Sequence, residues 1–305
     1  LQQRLTPFMG KAAQLMLLSD ISQATRTNVA YPDGLQDGEN VVELTKVVRC
    51  SERILTAASM FQLGETKNKT TSHHVVTGPP LQTFLFDRAS IPHTGERGRQ
   101  ANYFQAYAAK TLEALEFVLS KFGNLPLHDR VAIIVPDDGD VAIAGAARAR
   151  AQSDVRRRSS VARSDEFSFR DGLKAALTPM LAALTLPNDH GGAYELVDCV
   201  TASASLGTGE REDGKQWLVM DTMSQLDGHE RLFVICVGLD SPIPDEADAS
   251  TLSTRSRLYR GLTRAHMMVC VVNESLSGGW LEFLTRMELD DSAEFNRKEE
   301  LRAQE

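Results

Sequence analysis

The chain has 305 residues, 42% of them hydrophobic and 24% charged, with a formal net charge of -8. These are the proportions of an ordinary globular protein with room for one large or two small domains. No stretch reaches the roughly 18 apolar residues of a membrane span, and the acidic balance excludes uniform attraction to nucleic acid, so any such binding needs a local basic groove.

The first residues, Leu1-Gln-Gln-Arg-Leu5, contain no initiator Met and are not a signal peptide, which reads as a piece of a longer protein. Cys50, Cys199, Cys236 and Cys270 form no CxxC pair. The last three lie in or beside apolar strands and read as small core residues in a reducing, intracellular compartment.

Residues 15–18 are a short apolar run, read as a strand, and Ser19-Asp-Ile-Ser-Gln23 follows as a polar turn. Leu44, Val47, Val48, Ser51, Ile54, Leu55 and Ala58 fall at steps of three and four, which predicts a helix over residues 45–61. Residues 64–81 are polar and end in a Gly-Pro-Pro turn, so they read as a loop. His73 and His74 lie there without an acidic or cysteine partner at metal-site spacing, so they read as solvated and no metal is expected. A strand over residues 83–86 and a loop over 91–100 come next.

Phe104, Ala108, Leu112, Leu115, Leu119 and Phe122 form one stripe and predict an amphipathic helix over residues 102–122. Residues 131–136 read as a buried strand stopped by Pro136. Residues 137–165 carry Arg148, Arg150, Arg156, Arg157, Arg158 and Arg163 and almost no large apolar side chains. Such a stretch cannot offset the entropy of ordering itself and reads as a disordered insertion. Its Arg-Arg-Arg-Ser-Ser run offers a nucleic-acid contact or a phosphorylation site, against the plainer reading of a solvated loop.

A helix is predicted over residues 169–184, with Leu173, Ala176, Leu177, Met180, Leu181 and Leu184 inward. Strands follow over 194–200 and 217–221, separated by a polar loop at 203–215. Residues 232–237 are unbroken apolar sequence, as suits a parallel strand buried on both faces, and 267–272 repeat the pattern. Between them residues 255–265 read as a helix with Leu258 and Leu262 on one face and arginines at 255, 257, 260 and 264. A last helix is predicted over 281–287, and the charged end frays. Alternating strands and helices predict an α/β domain with a mostly parallel sheet and helices on both faces. Ligands in such sheets sit at the carboxyl ends of the strands.

Two stretches around the strand at 232–237 carry a family resemblance. They are Thr222-Met-Ser-Gln-Leu-Asp-Gly-His-Glu230 and Leu258-Tyr-Arg-Gly-Leu-Thr-Arg-Ala265. In that order they resemble motifs V and VI of superfamily 1 helicases of the UvrD/Rep type. The apolar run followed by Asp20 and Gln23 resembles motif III, with Ser19 in place of a glycine. Leu44-Thr-Lys-Val-Val-Arg49-Cys-Ser51, with Ile54 and Leu55, resembles motif IV. There Val48 stands where the family has a tyrosine that stacks on adenine. The resemblance reaches from about residue 15 to residue 273, and residues 64–214 match only in coarse order.

The resemblance implies a RecA-like domain of the P-loop NTPase superfamily, the C-terminal one of a helicase core. Residues 1–28 would end the first RecA-like domain, residues 29–288 form the second with an insertion at 137–165, and residues 289–305 make a charged tail. It implies that Arg264 is an arginine finger and that Arg49 contacts the γ-phosphate. It places Glu230 on the nucleotide ribose, Gln23 near the γ-phosphate, Gly228 in the nucleotide-binding segment, and Thr222 on the backbone of a single strand. The substrate would be ATP with Mg2+, the metal's ligands lying upstream. The partners would be the first RecA-like domain of the same protein and single-stranded DNA or RNA, with no membrane.

The chain contains no G-x-x-x-x-G-K-[ST] and no D-E-x-[QH], so alone it would supply the trans-acting half of a composite site. Asp227 stands where the family often has a lysine. With Ser19, Val48 and the acidic balance, it leaves open a helicase-derived interaction module that has lost turnover. A third reading is an unrelated doubly wound domain, which Arg49 and Arg264 lying far apart would favour. No G-x-G-x-x-G supports a dinucleotide enzyme.

Overall fold

The structure is a computed structural model and describes residues 46–62, 71–72, 77–92, 95–123, 125–138, 168–184, 193–205, 215–242 and 249–282. The apolar runs expected to be strands form one parallel sheet. Its members are β3 (Gln82–Phe86), β4 (Val131–Val135), β5 (Tyr194–Val197), β6 (Gln216–Thr222), β7 (Arg231–Val237) and β8 (Ala265–Glu274). Their spatial order is β3-β8-β7-β4-β6-β5, and every pairing is parallel. All five residues of β4 are buried, as an uninterrupted Val-Ala-Ile-Ile-Val run requires of a strand covered on both sides. A separate ladder pairs β1 (Lys46–Val47) with β2 (Thr71–Ser72).

The strand period of two divides the core into two layers. Ile133, Phe233, Ile235 and Cys270 point to one face, against α2 (Gly95–Lys121) and α3 (Phe169–Ala183). Ala132, Ile134, Val234, Cys236 and Val271 point to the other, against α1 (Glu52–Ser59), α4 (Cys199–Ser205) and α5 (Ala249–Leu262). The domain is therefore α/β with helices on both faces of an all-parallel sheet. Gly261 lets α5 approach β7 closely: a Cβ there would meet Leu239 Cδ1 at 2.9 Å and Cys236 Sγ at 3.1 Å.

Several boundaries differ from expectation, and β2 lies within the stretch expected to be a loop over 64–81. The helix predicted over 45–61 begins only at Glu52, because the β-branched Val47 joins a strand ladder and Ser51 takes an extended conformation at φ -61°, ψ 158°. Val48, expected on the inner face, is 59% exposed. The strand predicted to reach residue 200 stops at Val197, because the Asp198 carboxylate accepts from Thr201 N at 2.7 Å and opens α4. Cys199 thus begins a helix rather than lying in a strand. The loop expected over 91–100 is helical from Gly95.

The helix predicted over 255–265 runs from Ala249 to Leu262, and Ala265 already pairs with Arg231 in the sheet. Residues 15–23, the histidine pair at 73–74 and residues 139–165 of the expected insertion lie outside the described residues.

Candidate functional site

The register of β7 and β8 decides what meets at their amino edge. Arg231 pairs with Ala265, and Arg231 N donates to Arg264 O at 3.1 Å. Whatever immediately precedes each strand therefore lies side by side. Before β7 come residues 227–230, the end of a segment that starts at the carboxyl end of β6; before β8 comes the end of α5. The stretch leading into α1 closes a third side: Ser51 N donates to His266 O at 3.2 Å, and Cys50 Sγ donates to Thr263 O at 3.3 Å. Those two bonds fix the neighbouring Arg49 at the same edge.

Two ion-pair groups result. Asp227 bridges two guanidinium groups, with Oδ2 2.6 Å from Arg260 Nη2 and Oδ1 2.5 Å from Arg264 Nη2. Glu230 is held from both sides, with Oε1 2.6 Å from Arg49 Nε and Oε2 3.1 Å from His266 Nε2. Three arginines and two carboxylates leave one net positive charge before His266 is counted. The arginines of the first group are rooted in the core, with side chains 6% and 7% exposed, whereas the Asp227 side chain is 49% exposed.

Burial lowers the hold of Arg264 on its proton; Asp227 opposes that, and the charges of Arg49 and Arg260 add to it. The group nevertheless stays cationic at any working pH.

The turn itself is built for a sharp reversal. Leu226 N donates to Thr222 O at 3.1 Å and His229 N to Leu226 O at 3.0 Å, while Gly228 adopts φ +84°. That left-handed conformation suits glycine, which has no Cβ to clash.

Of the residues nominated from sequence, Arg49, Gly228, Glu230 and Arg264 thus come together, drawn from three separate stretches of chain. Thr222 does not join them. It ends β6 at the carboxyl edge of the sheet, where its hydroxyl lies 3.3 Å from Ser224 Oγ, which donates to Asp137 Oδ1 at 2.6 Å. Residues 223–230 cross from that edge to the amino edge: Leu226 N is still bonded to Thr222 O, and Arg231 opens β7. Gln23 lies outside the described residues.

The nominated residues that come together lie at the amino ends of β7 and β8, not at the carboxyl ends, where this type of sheet led ligands to be expected. Arg264 follows a helix and precedes a strand, so chain direction places it at an amino end. Arg260, Asp227 and His266 complete the cluster and were not nominated. The signal for Arg260 was its four-residue spacing from Arg264 in a stretch read as helical, although α5 itself ends at Leu262.

Among the described residues, no three His, Cys, Asp or Glu side chains are grouped to hold a metal ion. None of the described helices is long and apolar enough to cross a membrane.

No family model matches the chain, and no curated protein does. Among solved structures, the chain is similar to the C-terminal domain of a possible DNA helicase from Lactobacillus plantarum WCFS1. The identity is 14% and the TM-score 0.36, over 75% of this chain and 89% of that one. At that level the likeness carries no argument, and the fold rests on the sheet described above.

Proposed function

We propose that the chain is the second core domain of a superfamily 1-type helicase and lends guanidinium groups to a composite ATP site. The observation that supports this most is the convergence of Arg49, Glu230 and Arg264 at one sheet edge. Three motif-like stretches far apart in sequence supply them. An unrelated doubly wound domain has no reason to gather these three side chains.

The chemistry follows from charge. Hydrolysis of ATP develops negative charge on the transferring phosphoryl oxygens. A fixed guanidinium stabilises that charge, with arginine fingers contributing ~10³–10⁵ in rate. Arg264 is the first candidate, since its stem is buried and its head is therefore held in place. Arg49, 40% exposed along its side chain, is the second and more exposed one.

Glu230 offers a carboxylate to a ribose hydroxyl; Arg49 and His266 already orient it, and it retains lone pairs for a further donor. Among the described residues no three His, Cys, Asp or Glu side chains group to hold a metal ion; in this reading the Mg2+ ligands and the phosphate-cradling loop belong to the first core domain. Thr222, at the opposite edge, is the candidate contact to a single strand of DNA or RNA.

The test joins this chain to a core domain bearing a P-loop and measures ATP hydrolysis with and without single-stranded DNA or RNA. Stimulated hydrolysis that Arg264→Ala abolishes supports the reading; hydrolysis unchanged in Arg264→Ala sinks it. A second reading, an interaction module without turnover, is favoured by the carboxylate of Asp227 on Arg264. It predicts nucleotide binding with no hydrolysis.

A further inference from the structure

Arg260 and Arg264 stand one helical turn apart, and each gives an Nη2 donor to the same carboxylate. Neither Nε has an acceptor among the described residues. Two buried cations therefore each place one Nη2 on the same anionic side chain. The cations are buried, whereas solvent reaches the anion. Asp227 is half exposed and sits on a turn beside Gly228, where added bulk would meet nothing within 4 Å. Gly228, next to the carboxylate, holds φ +84°, a conformation that glycine adopts without steric cost.

A carboxylate and a phosphoryl group present oxygens of the same kind to an arginine fork. We propose that Asp227 is an exchangeable internal ligand of a two-arginine phosphoryl site, and that Arg260 is its second phosphoryl-binding guanidinium. The identification of the incoming anion as a nucleotide phosphoryl group rests on the function proposed above; the exchange itself rests on the geometry. An anion entering the site takes the two Nη2 donors as Asp227 swings out with its turn. The fraction of molecules with Asp227 released then scales the apparent affinity, so a competent fraction of about one tenth weakens binding about tenfold. The aspartate is thus a built-in competitor that sets a threshold for nucleotide, where a lysine would only attract it.

Inorganic pyrophosphate is the probe. Its binding to the whole chain is measured by titration calorimetry and thermal unfolding, with sodium chloride at matched ionic strength as the control. Asp227→Asn keeps the side-chain volume and removes the charge. It is expected to bind pyrophosphate about tenfold or more tightly than the wild type. Its lowered unfolding midpoint should recover with pyrophosphate and not with chloride. Adding Arg260→Met should remove the gain.

Equal affinity in wild type and Asp227→Asn overturns the proposal, and so does a gain that survives Arg260→Met. If Asp227→Asn does not fold, Asp227→Ser, which keeps an acceptor, is read in the same way. Exchange observed alongside undiminished hydrolysis by Arg264→Ala would keep the anion site and remove the helicase reading. Lost hydrolysis in Arg264→Ala with no exchange would do the reverse.

Discussion

Asp227 Oδ1 lies 2.5 Å from Arg264 Nη2, so the guanidinium proposed to meet transition-state charge already carries a carboxylate. The same carboxylate holds Arg260 through its other oxygen at 2.6 Å. Removing it leaves two buried cations facing each other. Breaking a fully buried pair costs roughly 3–5 kcal/mol. Solvent reaches half of Asp227, so Asp227→Ala should cost about 2 kcal/mol. Urea unfolding measures this, and a double-mutant cycle with Arg264→Met should be strongly non-additive. An unchanged midpoint in Asp227→Ala would show the pair to be energetically idle.

Two glycines should separate steric from conformational cost. A Cβ at Gly172 would sit 2.5 Å from the Phe104 ring, where α3 crosses α2. Gly172→Ala is therefore an overpacking change of about 2–3 kcal/mol. A Cβ at Gly228 would meet nothing, and the position is strained only by φ +84°. Gly228→Ala should cost about 1 kcal/mol, the cost of left-handed backbone alone. Paired unfolding curves test the order, and a larger loss at Gly228 would contradict it.

Asp240 should shape the pH dependence of stability. It lies just beyond β7 and accepts from Ser241 N, Trp280 N and Leu281 N, tying residues 280–282 to the sheet. Burial raises its carboxyl from 3.8 to about 6 against those hydrogen bonds and the charge of Arg257. Below the unfolded value both states hold the proton, and no stability is lost. As pH rises from about 4 to about 6, the unfolded chain releases its proton first, so stability falls. The loss is complete above about 6 and amounts to about 3 kcal/mol. Asp240→Asn cannot titrate, so the stability difference between variant and wild type should change across that window. A flat difference would contradict this assignment.

The four cysteines should be inert in the native protein. All are buried, and burial pushes Cys50 and Cys199 up to about 11 and Cys270 up to about 12, with Cys236 raised further. The thiolate is the reactive form. A chromogenic disulfide reagent at pH 8 should label none of them until denaturant is added. Prompt labelling of Cys50, which lies beside Arg49, would show that the edge opens.

The sequence made the central strands legible because their burial on both faces leaves no alternation to misread. Val131 to Val135 and Leu232 to Val237 are apolar without interruption, and both are strands. The long stripe from Phe104 to Phe122 was legible for the opposite reason, since one wet face writes a helical period. Residues 45–51 were misread because Val47 and Val48 fit a helical stripe and a strand equally well. Backbone pairing decided between them, and nothing local encodes it.

The site was half legible. Arg49, Glu230 and Arg264 were nominated on family likeness and lie together. Asp227 registered only as a departure from a lysine. That it bridges Arg260 and Arg264 follows from the β7–β8 register, a long-range fact that a motif does not carry. The distance of Thr222 from the others has the same origin.

The most direct test is single-turnover ATP hydrolysis by this chain joined to a core domain that bears a P-loop, with single-stranded nucleic acid present. Wild type is compared with Arg264→Ala and Arg49→Ala. The account predicts a loss of about 10³-fold or more for Arg264→Ala, a smaller loss for Arg49→Ala, and nucleotide binding retained in both. Hydrolysis at the wild-type rate in Arg264→Ala would contradict it.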